Sequence, residues 1–426
     1  MRISSFVILL FVAAQLSAQS LWPRGLYCSA GPTTALGNSV TPQVAAKPYV
    51  SGFLVRISWA DLEPRDDHFS WARLDSQFSR ARAYGNKKIA LGIVNGPGAP
   101  SWLYTLGAQR FLYVFRGVPD TMPVPWDEIY LSEWEEVIAA AGARYGDESS
   151  LALVHITNAT ANGFEMQLPF SAVDRINWQA VQYSDARLVE SWRRSIGAFG
   201  RAFPHTPLDL DVHPVLSSDS VAAAVVHEGY AQLDQRFGVF AAWWSQKNTL
   251  VYPGQYQLLQ DAAARSFATV QIVASGVRDS AAIGAGGLQE ALRSAIADSI
   301  HYWEVWDVDI TSGVFDTFFS SITHDGNTSV MSPPRNIPSG LRILGNHPNP
   351  FAEQTTVQFI LESPAVVGVT LEDVLGRTFA VNPGVEFQRG THQVRIVAER
   401  AWAPGIYVVR FHTAHGLIRF PVCVAR

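Results

Sequence analysis

The sequence predicts an α/β protein: a (β/α)8 barrel followed by a small C-terminal all-β sandwich. Three observations carry that prediction. Across residues 19–322, short apolar runs alternate with longer stretches of helical periodicity, the pattern of parallel strands joined by crossover helices. Residues 323–340 then change character, with Asp325-Gly326-Asn327-Thr328-Ser329 and Ser332-Pro333-Pro334 reading as a linker. In residues 341–426, alternating strands recur at short, regular spacing between Gly and Pro turns, as in a β-sandwich.

Composition narrows the function classes. The apolar fraction of 48% with 12% aromatics excludes a disordered chain, and 426 residues suffice for more than one core. A net charge of −5 gives no electrostatic reason to expect nucleic acid or an anionic membrane as partner. Residues 1–18 have the form of a secretory signal peptide. Arg2 is the basic start, Phe6-Val7-Ile8-Leu9-Leu10-Phe11-Val12 the apolar run, and Leu16-Ser17-Ala18 the small-residue end. No later run of about 20 apolar residues follows, so no transmembrane segment is expected in the mature chain. The two cysteines, Cys28 and Cys423, cannot form a disulfide framework, and buried free thiols are expected rather than one long-range bridge. No Cys/His cluster has zinc-ligand spacing, and neither metal nor other cofactor is expected.

The barrel elements follow in order. Leu26-Tyr27-Cys28 reads as the first strand, ahead of a turn at Gly31. Phe53-Leu54-Val55-Arg56-Ile57 is the second, and its Arg is costly there unless it meets a carboxylate or substrate oxygens. Pro64 stops the run, Asp66-Asp67-His68 makes a polar turn, and a helix begins near Trp71. The third strand, residues 89–94, leads into Gly96-Pro97-Gly98-Ala99-Pro100-Ser101-Trp102. Residues 104–125 read as an irregular insertion that shapes a cleft, followed by a helix over 130–145. The fourth strand, 151–157, runs into Asn158-Ala159-Thr160-Ala161-Asn162-Gly163-Phe164-Glu165. A helix over 188–203 leads to the fifth, 208–214, whose alternation puts Asp209, Asp211 and His213 on one face. That face is either a network near a cleft or a satisfied structural cluster. Strands at 237–244, 268–273 and 302–306, with helices at 255–266 and 288–300, complete eight units.

The stretch GFLVRISWADLEPRDDHFSW at 52–71, followed by Ala99-Pro100-Ser101-Trp102-Leu103, resembles the clan A glycoside hydrolases, especially the family 42 β-galactosidases. The resemblance implies a TIM barrel with its polar groups at the carboxyl ends of the strands, and carbohydrate as substrate or ligand. It also implies two carboxyls, one protonating the leaving oxygen while the other attacks or stabilises the cation. Clan A enzymes carry the acid/base in an Asn-Glu pair after the fourth strand. Here Asn158 is in place, but the Glu arrives only at Glu165. They keep the nucleophile at the end of the seventh strand, which here ends Val273-Ala274-Ser275-Gly276 without a carboxylate. Either the strand count shifts by one, or Glu304 serves from the eighth strand, or the nucleophile is lost.

The expected site is therefore Glu165 as general acid/base and Glu304 as nucleophile, facing each other across the barrel mouth. Arg56 is the expected partner of Glu304. Arg56 and Asn158 would orient a carboxylate and a sugar hydroxyl, and Trp59, Trp102 and Trp306 would stack on sugar rings. Glu165 also reads as a plain loop carboxylate, and Glu304–Arg56 as a structural pair. Two functions stay open: a glycoside hydrolase, and a catalytically silent surface barrel that binds carbohydrate.

The last domain carries a second resemblance. Asn346-His347-Pro348-Asn349-Pro350-Phe351, Leu375-Gly376-Arg377 and Pro404-Gly405-Ile406-Tyr407-Val408-Val409-Arg410 resemble the C-terminal sorting domain of the type IX secretion system. That implies an outer-membrane translocon as partner, and an exported protein that is secreted or held at the cell surface.

Overall fold

The computed structural model describes residues 22–30, 38–324, 341–348, 351–361, 363–373, 377–398, 402–403, 405–413 and 416–425. The expected signal peptide, the Gly31 turn and nearly all of the expected linker lie outside the described residues. The chain divides into two compact units, Met1–Asn327 and Thr328–Arg426.

In the first unit eight strands close into a parallel barrel in which each pairs with its neighbours in sequence. They are β1 (Gly25–Ser29), β2 (Val50–Ser58), β3 (Lys88–Val94), β4 (Leu151–His155), β5 (Leu208–Asp211), β6 (Phe237–Trp244), β7 (Phe267–Ile272) and β8 (Tyr302–Trp306). Alternation sorts their side chains. Phe53, Val55 and Ile57 of β2, with Ile89, Leu91 and Ile93 of β3, join the core under the helices. Leu54, Ala90, Leu153, Phe240, Phe267 and Tyr302 form a separate cluster inside the barrel. A barrel of eight strands has just room for side chains within it, so polar residues on inner faces must find partners there.

The helices Ala72–Ala83, Glu128–Tyr145, Asp185–Ala202, Pro253–Arg265 and Gly287–Ala297 stand where the periodicity puts them. Asp127 and Ser184 cap two of them by accepting from the N–H groups of Tyr130 and Arg187. Two strands end early: β4 stops at His155 and β5 at Asp211, so Thr157 and His213 belong to the loops of the mouth.

Residues 104–125 are not irregular. Arg110–Phe115 and Val118–Pro123 pair as an antiparallel hairpin, and Arg116 and Gly117 both take positive φ, at 50° and 84°, as a tight two-residue turn requires. Phe111 anchors it by stacking on Trp178 at 3.6 Å between ring centroids. Pro119 and Pro123 disguise the second strand, since Pro is tolerated only where no ladder N–H is needed.

In the second unit, two antiparallel sheets share one core. Leu341–His347, Gln354–Leu361 and Gly390–Val397 form one, while Thr378–Phe387, Ala365–Asp373, Gly405–Thr413 and Gly416–Val424 form the other. Val357, Phe359, Val367, Val369, Val409 and Phe411 meet between them. The predicted barrel with a small all-β sandwich is the observed architecture. Among the described residues, no helix is long and apolar enough to cross a membrane.

Candidate functional site at the barrel mouth

Strand β5 organises the barrel interior. Its sequence Leu208-Asp209-Leu210-Asp211 sends two carboxylates inward, two residues apart, and each joins a different cluster.

The deeper cluster forms around His155, whose backbone lies beside Asp209 in the β4–β5 register. His155 Nδ1 is 2.7 Å from Asp209 Oδ1, and its Nε2 is 3.4 Å from Glu304 Oε1. The second distance is an ion-pair contact rather than a hydrogen bond. Glu304 also accepts from Tyr302 Oη at 2.7 Å and from Gln271 Nε2 at 2.7 Å. Thr269 Oγ1 donates to the other Asp209 oxygen. Glu304 and Asp209 are 0% exposed and His155 is 1% exposed. Burial works against a charged imidazole, but the Asp209 and Glu304 carboxylates outweigh it and push His155 up to about 10.

The outer cluster forms around His213. Its Nε2 is 3.3 Å from Glu165 Oε2 and 3.7 Å from Asp211 Oδ2. Asp211 accepts from Ala242 N at 2.9 Å and from Met166 N at 3.1 Å, which ties the Glu165 loop to β5. Gln167 Nε2 stands 3.4 Å from Glu165 Oε2 and 3.0 Å from His213 Nε2. The Glu165 side chain keeps 27% of its surface open, against 1% for Asp211. Burial pushes Asp211 up to about 6, opposed by His213. Burial also raises Glu165, but His213, Asn162 and Arg56 prevail and hold its carboxyl below the usual range. His213 is held above its ordinary value against burial by Asp211 and Glu165.

The turn carrying Glu165 is built tightly. Asn162 Oδ1 accepts from the N–H groups of Phe164 and Glu165, at 3.0 Å and 2.9 Å. Gly163 takes φ +73°, and a Cβ there would stand 2.0 Å from Asn95 O. The loop that carries Glu165 is thus a fixed turn. It drives the Phe164 ring into the barrel, 5.2 Å from the His155 ring and 5.9 Å from Phe240. Gly92 makes the room, since a Cβ on it would meet Phe164 Cε2 at 2.4 Å.

The expected site residues therefore separate. Glu165 reaches the mouth, while Glu304 lies beneath it in a different network. Arg56 is no ion-pair partner of Glu304: no described carboxylate lies within 4.0 Å of it. Both carboxylates still act on it through space, against a burial that lowers its pKa. Asn158 is 1% exposed and turned to the helices, accepting from Tyr130 Oη at 2.6 Å and donating to Ser191 Oγ at 2.8 Å. Trp59 is fully buried against Trp134 at 5.3 Å and donates to Glu63 Oε2 at 2.8 Å. Trp102 is partly exposed, with its Nε1 donating to Glu63 O at 2.9 Å. Trp306 follows Tyr302 and Glu304 on the inner face of β8, is partly exposed, and donates to Ile272 O at 2.8 Å. Within the Trp-x-x-x-Glu-Pro motif, Glu63 thus fastens two indoles.

Sequence reasoning passed over His155, Gln271 and Tyr302. A His two residues past Leu153 in an apolar strand signalled an inward polar group, but its partners come from strands far away in sequence. Among the described residues, one acidic group, Glu63 with Asp66 and Asp67, has oxygens within 4.8 Å of one another. Glu63 already spends both oxygens on Trp59 Nε1 and Asp67 N. Cys28 is buried and free, and burial raises its pKa.

Residues 51–195 match the family model described as beta-galactosidase, glycoside hydrolase family 42. The match runs from β2 into the helix Asp185–Ala202, and the barrel is glycoside-hydrolase-like. No curated protein matches the chain. Among solved structures, the catalytic domain of a beta-amylase from Paenibacillus polymyxa is similar at 10% identity and TM-score 0.49, over 70% of this chain and 98% of that one. Endo-glycoceramidase II from Rhodococcus sp. is similar at 12% identity and TM-score 0.44, over 89% of this chain and 99% of that one. A beta-galactosidase from Rahnella sp. R3 is similar at 12% identity and TM-score 0.46, over 71% of this chain and 56% of that one. At these scores the likenesses say nothing about chemistry.

Proposed function

We propose that this protein binds carbohydrate at the carboxyl mouth of its barrel, through Glu165, Arg56 and Trp306, and does not hydrolyse it with the Glu165–Glu304 pair. The burial of Glu304 carries the reading. A nucleophile must reach an anomeric carbon. Glu304 is 0% exposed, both its oxygens are engaged, and Phe164 packs on its neighbour His155. The match over residues 51–195 supports carbohydrate as the ligand class. The second reading, a hydrolase with Glu165 as acid/base, is favoured by one observation. Glu165 is a half-buried carboxylate held by an imidazole, a setting able to hold and pass a proton. Calorimetric titration of galacto-oligosaccharides tests the residue roles. Glu165→Gln should weaken binding about tenfold, the loss of one charge-assisted hydrogen bond, while Glu304→Gln leaves it within about twofold. Equal losses in both variants would put Glu304 in contact with ligand and overturn the reading.

We further propose that the chain is exported and delivered to the cell exterior by the type IX machinery. The residue 1–18 pattern and the C-terminal motifs support this, with residues 19–322 as the barrel, 323–340 as linker and 341–426 as sorting domain. Deletion of residues 341–426 should leave a folded barrel in the periplasm, and display of that truncated chain at the surface would refute the assignment.

A further inference from the structure

We propose that the saccharide engaged at the mouth is acidic, and that Arg56 takes the carboxylate of a uronic acid unit. The inference rests on the carbohydrate-binding reading and adds the class of sugar. Arg56 projects from the inner face of β2, two residues before the strand ends at Ser58, and is partly exposed. A guanidinium carries five N–H donors in a rigid fork. Among the described residues it spends one, Nη2 to Ala30 O at 3.3 Å.

The two carboxylates that could have satisfied it have turned elsewhere. Glu304 accepts from Tyr302 and Gln271, and Glu165 faces His213 and Gln167. Neither carboxylate comes within 4.0 Å of Arg56, so most of its N–H donors stay unspent among the described residues. The Phe164 ring, 5.7 Å from the guanidinium carbon, orients that fork by a cation–π contact. The imidazoles of His155 and His213 offset part of the negative charge of the four neighbouring carboxylates, and Arg56 itself offsets more. A planar carboxylate accepts two parallel N–H bonds from such a fork, which a neutral sugar hydroxyl does not. Trp306, partly exposed on β8, supplies an apolar ring near the same end of the barrel.

Two oligosaccharides of equal length, one of galactose and one of galacturonate, test this by calorimetry on the full chain. The galacturonate oligomer should bind at least about tenfold more tightly at low salt, and the advantage should shrink as salt rises. Arg56→Gln should bring the two affinities together, and Arg56→Lys should keep part of the preference, having the charge without the fork. Equal affinities in the wild type, or a preference that survives in Arg56→Gln, would overturn the acidic-sugar proposal while leaving carbohydrate binding intact. Failure of both oligomers to bind would overturn the binding reading with it. Should Arg56→Gln fail to fold by thermal melt, Arg56→Lys and the wild-type salt dependence decide the matter.

Discussion

The barrel holds two carboxylate–imidazole–carboxylate clusters, one around His155 and one around His213, and β5 feeds both. Their chemistry is the same and their depth is not. Asp209, His155 and Glu304 lie in the barrel with no more than 1% exposure, whereas Glu165 leaves 27% of its side chain in the mouth. The inner cluster is a charge pairing that the closed barrel cannot do without. The outer one can trade a partner for a ligand, because water already reaches it. Depth therefore decides which carboxylate is structural, and Phe164 marks the boundary between the two.

Removing the imidazole from each cluster sharpens the contrast most. His155→Ala strands two buried carboxylates and should cost about 3–5 kcal/mol in a urea melt. Gly92→Ala should cost about 1–3 kcal/mol, because its methyl group displaces the Phe164 ring from its seat. His213→Ala should cost less than His155→Ala, about 1–3 kcal/mol, since it leaves Asp211 buried but lets Glu165 rehydrate, and it should weaken saccharide binding by disordering Glu165. A loss for His213→Ala as large as for His155→Ala would erase the distinction.

Both clusters should act on the alkaline limb of the pH–stability curve, because His213 is raised as His155 is. The His155 value is raised, so its contribution is complete below its ordinary 6.5 and fades as pH rises through about 10. Asp211 is raised too, and its contribution fades between 3.8 and about 6. Glu165 is lowered, so its contribution is present above 4.5 and lost in acid. The terms from Asp211 and Glu165 oppose each other, so the acid limb owes little to the outer cluster. Chemical denaturation from pH 4 to about 10 should show a fall on the alkaline side that His155→Gln makes shallower, His213 supplying the remainder. A His155→Gln profile with the wild-type alkaline slope would contradict this.

How much of this was legible follows from particular residues. The eight strands were readable because barrel strands buried on their outer faces run apolar, as Phe53, Val55 and Ile57 do. Asp209 and Asp211 were readable as inward by alternation, but not as members of different clusters, because their partners arrive from β4, β6, β7 and the loops. Glu304 was readable as a buried carboxylate needing partners. That those partners are His155, Tyr302 and Gln271 rather than Arg56 depends on barrel closure. Trp59 looked like a sugar platform because it follows a strand end, yet it is fully buried and held by Glu63, whereas Trp102, tied to the same residue, stays partly exposed.

Whether the wild-type chain cuts what it binds separates a binding mouth from a hydrolytic one. The direct measurement is the release of new reducing ends from galacto- and galacturono-oligosaccharides, at protein concentrations where binding is established. The expected result is saturable binding with no release above the rate of a Glu165→Gln, Glu304→Gln double variant. Turnover by the wild type that Glu304→Gln alone abolishes, with its melting temperature unchanged, would contradict it and make Glu304 the nucleophile.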